Sequence, residues 1–158
     1  MPAQADFKED IIHLAVCIER LSSCRQTLVD VQANLDHPLS GAAFRYAIVE
    51  YATPFNTSED AQRKRRKIPA SLVPSQYQVM HGRLISARNQ LLAHADMSVL
   101  DGSLAFADMR GLPITTTTLN HVDVLNELKN IDEFIDLIQG VVDNLFAERL
   151  RLLAAFPN

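Results

Sequence analysis

Residues 86–96 read SARNQLLAHAD, so Arg88 is followed at once by Asn89 and, six positions on, by His94. A guanidinium keeps its charge and grips a phosphate or carboxylate through two parallel hydrogen bonds. An imidazole moves protons near neutral pH, and a carboxamide both donates and accepts. At 100° per residue, Tyr77, His81, Leu84, Ile85, Leu91, Leu92 and Ala95 all fall within about 60° of Arg88, which predicts Arg88 at the centre of a core-facing stripe. An unpaired charge buried there is costly, so Arg88 must meet an acid, a set of carbonyls, an open cleft or an anionic ligand. Asn89 lies near +100° and His94 near −120°, roughly on opposite shoulders. Convergence therefore needs long side chains, unwinding near residue 94, or a cleft shared by two copies about a two-fold axis. The bland alternative pairs Arg88 with Glu50 or Asp132 and leaves His94 to meet the last carbonyls of its own helix.

Further candidates flank this group. His81 lines the same face two turns earlier, as a core histidine or as a contact to substrate. Tyr77 shares that face and could stack a base, as could Tyr46 and Tyr51, although aromatics at helical spacing also serve as core. Arg63, Lys64, Arg65, Arg66 and Lys67 place a third of the 15 basic residues in consecutive positions, a local anion site or a solvated loop in a chain of net charge −4.

Other chemistries find no support. There is no His-x3-His, Cys-x2-Cys or HExxH pattern, no glycine-rich phosphate loop and no Gly-x-Ser-x-Gly elbow. Neither a metal nor a cofactor is expected. Cys17 and Cys24, a heptad apart and so about 10 Å along one helix, are expected to be reduced thiols of a cytoplasmic protein. His13, His37 and His121 show no partner pattern. The start carries Asp6, Lys8, Glu9 and Asp10 before its apolar part, and no apolar run approaches the length of a membrane span; a mature, membrane-free chain is expected.

The elements that must position these groups follow from periodicity. With 158 residues and 47% hydrophobic content, one domain over residues 1–158 is expected. A first helix runs from Phe7 to Leu35 with Asp6 and Glu9 as a capping pair, and Pro38 stops it. Ser40 caps a second, with Phe44, Ala47, Ile48 and Tyr51 inward, ended by Thr53-Pro54. Residues 54–74 form a basic loop, part of which, Ser58 to Lys67, has the makings of a short helix. Ser75 and Gln78 open the third helix as a capping box. Residues 97–118 read as a β insertion, a hairpin turning at Asp101-Gly102 plus a third short strand over Ile114 and Thr115 to Thr118. Asn120 with Asp123 opens a last helix of some 35 residues, about 50 Å long, part of which is expected to pack on another subunit. The sum is an all-α protein: an antiparallel four-helix bundle with a small β-hairpin insertion between helix 3 and the long C-terminal helix.

The run Arg88-Asn89-Gln90-Leu91-Leu92-Ala93-His94 resembles the arginine, polar residue, spacer, histidine motif of HEPN domains (higher eukaryotes and prokaryotes nucleotide-binding). The likeness in helix order would cover most of the chain. The resemblance implies a homodimeric, metal-independent endoribonuclease of a toxin–antitoxin, stress or anti-phage system, with RNA as substrate and a neutralising antitoxin as partner. It implies His94 as general acid/base, Arg88 on the pentacovalent phosphate and Asn89 orienting a phosphate oxygen or the histidine. The same fold also has inactive members that bind nucleotides or proteins or serve as dimerisation modules.

Overall fold

The computed structural model describes residues 2–56, 58–59, 65–92, 101–109, 112–120 and 124–155. The chain is mostly helical: α1 (Pro2–Ala33), α2 (Ser40–Ala52), α3 (Gln78–Leu92) and α4 (Ile131–Ala154). Two strand pairs interrupt the helices, β1 (Ser58–Glu59) with β2 (Arg65–Arg66), and β3 (Asp101–Met109) with β4 (Leu112–Asn120).

In α1 the apolar positions at spacings of three and four, Leu14, Cys17, Ile18, Leu21, Cys24, Leu28 and Val31, are all buried. The helix begins at Pro2, so Asp6 lies inside it and is not the expected cap. A proline suits a first turn because its missing N–H has no helical partner there anyway. Ser40 is a second correction. Its hydroxyl turns back to the Asn34 carbonyl and closes the α1–α2 turn, while Leu39 stands at the cap of α2 with no side-chain bond. The expected inner face of α2, Phe44, Ala47, Ile48 and Tyr51, is fully buried. Thr53 keeps helical angles (φ −58°, ψ −47°) although proline follows, and a 3-10 turn over Thr53–Phe55 ends the segment instead. The Thr53 hydroxyl donates to the Val49 carbonyl at 2.8 Å, which holds that turn on the helix.

The described part of the connection expected as a basic loop, part of it helical, is a folded strap. Ser58 pairs with Arg66 and Glu59 with Arg65 in antiparallel register, so no helix forms on Ser58. Ile68 and Val73 are buried, and the Ile68 N–H donates to the Pro54 carbonyl at 2.9 Å. Gln78 does not complete a box with Ser75. Its amide donates to the carbonyls of Ala70 (3.0 Å) and Val73 (2.9 Å), tying the start of α3 to the strap.

Helix α1 packs on both α2 and α4, and α2 packs on α3. Phe134 of α4 meets Phe44 edge-on at 6.2 Å between ring centroids and Tyr51 at 5.3 Å. Deleting such a buried ring typically costs about 3–5 kcal/mol. The last helix is shorter than expected. Val124–Asn130 is a 3-10 segment, which leaves 24 residues and about 36 Å for α4, and helix length no longer argues for a second subunit.

Between α3 and α4 the pairing of β3 with β4 runs unbroken from Asp101↔Asn120 to Met109↔Leu112. The reversal therefore falls between Met109 and Leu112, and Asp101-Gly102, expected as the turn, lies at the far end of β3. The four threonines explain the difference, because β-branched residues sustain one long strand and pair with the run from Ser103 to Phe106. Val99, Leu100 and Asp123 lie outside the described residues.

Gly140 of α4 marks a close approach. A Cβ built there would sit 2.7 Å from Cγ of Pro74, whereas one on Gly82 of α3 meets nothing within 4 Å. The two glycines should respond to alanine with opposite sign. Gly82→Ala is expected to stabilise by about 0.5–1 kcal/mol through backbone entropy, and Gly140→Ala to lower the melting temperature because a proline ring cannot fold away. Thermal unfolding of the two variants beside the wild type checks both.

Candidate functional site

The third helix is rotated from the orientation its pattern predicts. Met80, Leu84 and Ala87 are buried and Leu91 packs on the core, while Leu92 is 55% exposed. These four inward positions centre about 70° from Arg88, which stands half-buried at the margin of the stripe and not at its middle. The apolar residues on either side of Arg88 are nearly balanced in sequence, and contact with α2 selects the Met80–Leu84–Ala87 side.

At this margin Arg88 Nη1 donates to Asn89 Oδ1 at 3.0 Å, and its Nε is buried with no hydrogen-bond partner. Neither acid proposed to neutralise it does so. Glu50 pairs with Arg20 at 3.4 Å, and Asp132 accepts a hydrogen bond from Gln32. Among the described residues no carboxylate forms an ion pair with Arg88. The guanidinium and the carboxamide thus form one polar unit near the end of α3. His94 lies outside the described residues.

His81 is held by the core. Its Nδ1 lies 2.8 Å from the Tyr51 hydroxyl, and its ring packs on Phe55 at 4.5 Å and Tyr51 at 5.9 Å. Burial pushes the Tyr51 phenol far above its ordinary value, so it stays protonated at neutral pH while it shares this hydrogen bond with Nδ1. Desolvation lowers the His81 pKa and favours the neutral ring. Tyr77 is also half-buried against the core, so its ring is not a free stacking platform.

The basic run does not present five cations on one surface. Arg63 and Lys64 lie outside the described residues, and Arg65 is placed as the β2 residue opposite Glu59. Arg66, expected to contact substrate, is only 8% exposed and pairs with Asp10 of α1. Consecutive residues of a strand point to opposite sides, so neighbouring cations in one are not displayed on a single surface. Lys67 is exposed and lines a cleft of about 470 Å³ between α1, the strap and α4.

That cleft collects residues that sequence reasoning passed over. His13, Ser71, Glu148 and Arg151 line it with Asp10 and Lys67. Arg151 forks onto Glu148 through Nε (2.8 Å) and Nη2 (2.6 Å), and holds its carboxyl below the usual range. The three-residue spacing of Glu148 and Arg151 on a helix was the available signal. His13 Nε2 lies 3.7 Å from Cys17 Sγ, and burial lowers its pKa.

Cys17 and Cys24 are buried and free. Burial pushes the Cys17 thiol to about 11 and Cys24 to about 12, and the Cys24 thiol donates to the Ala47 carbonyl at 3.1 Å. Neither is a thiolate at neutral pH, so neither serves as a nucleophile. Among the described residues no His, Cys, Asp or Glu cluster is placed to hold a metal, and no helix is long and apolar enough to cross a membrane. The chain matches no protein-family model, no curated protein and no solved structure.

Two measurements test these assignments. Asp10→Asn removes the carboxylate that pairs with the buried Arg66. It should destabilise by about 2 kcal/mol, with much of the loss recovered in the Asp10→Asn, Arg66→Met double variant, read as urea midpoints. Because burial holds His13 and His81 below the ordinary histidine value, the unfolded chain takes up their protons first as pH falls. Folded-state stability should therefore decline below about pH 6.5, with a shallower decline in His81→Gln. Urea titrations at neutral and mildly acidic pH read the slope.

Proposed function

We propose that this chain is a HEPN-like helical bundle carrying an inserted β-hairpin, that it forms a homodimer in the cytoplasm, and that it cleaves RNA without a metal in a toxin–antitoxin, stress or anti-phage system. The observation that carries the reading is the state of Arg88: half-buried, joined to Asn89, and matched with no acid among the described residues. A fixed cation kept partly out of water, with no carboxylate paired to it among the described residues, suits an anion that arrives from outside, and the neighbouring carboxamide can complete a phosphate grip.

In this reading RNA supplies its own nucleophile. The 2′-hydroxyl loses its proton to a base, its oxygen forms a bond to phosphorus, and the bond to the 5′-oxygen breaks as that oxygen takes up a proton. A 2′,3′-cyclic phosphate and a 5′-hydroxyl end result. His94 is assigned the proton transfers, and Arg88 with Asn89 the charge that builds on the non-bridging oxygens. A neutralising antitoxin would act by covering this end of α3.

The inward turn of Arg66 favours a second reading, because it removes a cation from the RNA-facing surface. There the same fold binds a nucleotide or a protein without cleaving it. Incubating the purified chain with total cellular RNA in EDTA separates the two. Under the nuclease reading the wild type generates cyclic phosphate ends, and His94→Ala and Arg88→Ala each lose about 10²-fold or more in rate. RNA left intact by the wild type, or equal residual cleavage in all three proteins, overturns it.

A further inference from the structure

The β3–β4 pair has two outer edges, and they are not equivalent. Among the described residues neither strand has a second neighbour, and each offers nine residues of backbone along its open side. Two strands alone are at best marginally stable in water, and three or more make a sheet that holds. A long open edge is also a template for pairing with another chain. Phe106, midway along β3, is 75% exposed, so the pair is not covered by the helices at that position.

The β3 edge is the better fitted to receive a strand. Two residues separate Met109 from Leu112, so this closing pair exchanges hydrogen bonds and the next, Asp108 with Pro113, exchanges none. The backbone groups of such pairs point outward. Pro113 therefore leaves a gap in the donors of the outer β4 edge without weakening the ladder to β3. β3 has no proline, and by the same alternation Gly102, Leu104, Phe106 and Asp108 direct their N–H and C=O groups outward.

We propose that a second copy of this chain pairs along β3, antiparallel about a two-fold axis through Ala105, to build a four-stranded sheet β4–β3–β3–β4. The argument for a second copy over any other strand is self-complementarity. With Ala105 opposite Ala105, Leu104 of one copy stands opposite Phe106 of the other, twice. Gly102 stands opposite Asp108, Ser103 opposite Ala107 and Asp101 opposite Met109, so neither acid faces an acid. The outward backbone groups at Leu104 and Phe106 then meet as hydrogen-bonded pairs, and Ala105 falls on the axis in a close, non-bonded pair. This names the interface of the dimer in the preceding reading, and it holds whether or not RNA is cleaved.

The test is the mass of the protein in solution. Light scattering behind size exclusion should give a dimer for the wild type and a monomer for Leu104→Pro, which opens on β3 the same gap that Pro113 makes on β4, with the helical circular dichroism unchanged. The closest point supplies a second measurement. Opposed residues of a non-bonded pair have Cα atoms about 4.5 Å apart, within disulfide range, so Ala105→Cys should give a reducible covalent dimer under mild oxidation. The native thiols are buried and do not compete. A monomeric wild type, a Leu104→Pro protein that remains dimeric, or an Ala105→Cys thiol that stays free while the protein is dimeric each overturns the proposal. A monomer that cleaves RNA would overturn the dimer and this interface and leave the reading of the site standing, whereas a β3-paired dimer without nuclease activity would overturn only the reading of the site.

Discussion

The constraint on which this fold depends is the meeting of Phe134 with Phe44 and Tyr51, all three fully buried. Edge-on ring contacts favour a narrow range of orientations, so they set how α4 lies on α2. Tyr51 passes that constraint onward. Its hydroxyl holds His81, and so links α3 to the same cluster at a point two turns before Arg88. The position of the candidate site at the margin of α3 is thus decided by aromatic packing some distance from it. The strap between α2 and α3 adds a second restraint through Gln78, Ile68 and the Asp10–Arg66 pair.

The half-buried Arg88 gains its interest from the same geometry. Had the helix turned as the bare pattern of apolar residues suggests, the guanidinium would sit in the core and need an internal acid. Instead Glu50 and Asp132 are engaged elsewhere, with Arg20 and Gln32. The shift moves Arg88 from the middle of the core-facing stripe, where its charge would need neutralising by the protein, to a half-buried margin where that demand is smaller.

Helices were legible wherever a one-sided apolar pattern ran for several turns, although α1 stops at Ala33, short of Pro38, and leaves Leu35, expected on its inner face, exposed. Helix ends were less so. Ser40 and Gln78 are of types that cap helices, but both found carbonyls outside the expected geometry, and nothing in their local sequence distinguishes the two uses. The rotation of α3 was hidden because Ile85 and Leu92 on one side of Arg88 rival Met80 and Ala87 on the other, and only the neighbouring helix breaks that tie. The inward turn of Arg66 depended on a two-residue strand too short to leave a periodic signal. Of the candidate site, the adjacency of Arg88 and Asn89 was readable directly, while which acids among the described residues leave Arg88 unmatched is a property of the assembled fold.

The two thiols of α1 carry a consequence beyond packing. Cys24 gives its hydrogen to a carbonyl of α2, and both sulfurs are sealed from water where α1 meets its neighbours. A reagent that attacks thiolates can reach them only when the first helix lifts away, so their rate of modification is a built-in clock for that opening, ticking in the native protein with no added label.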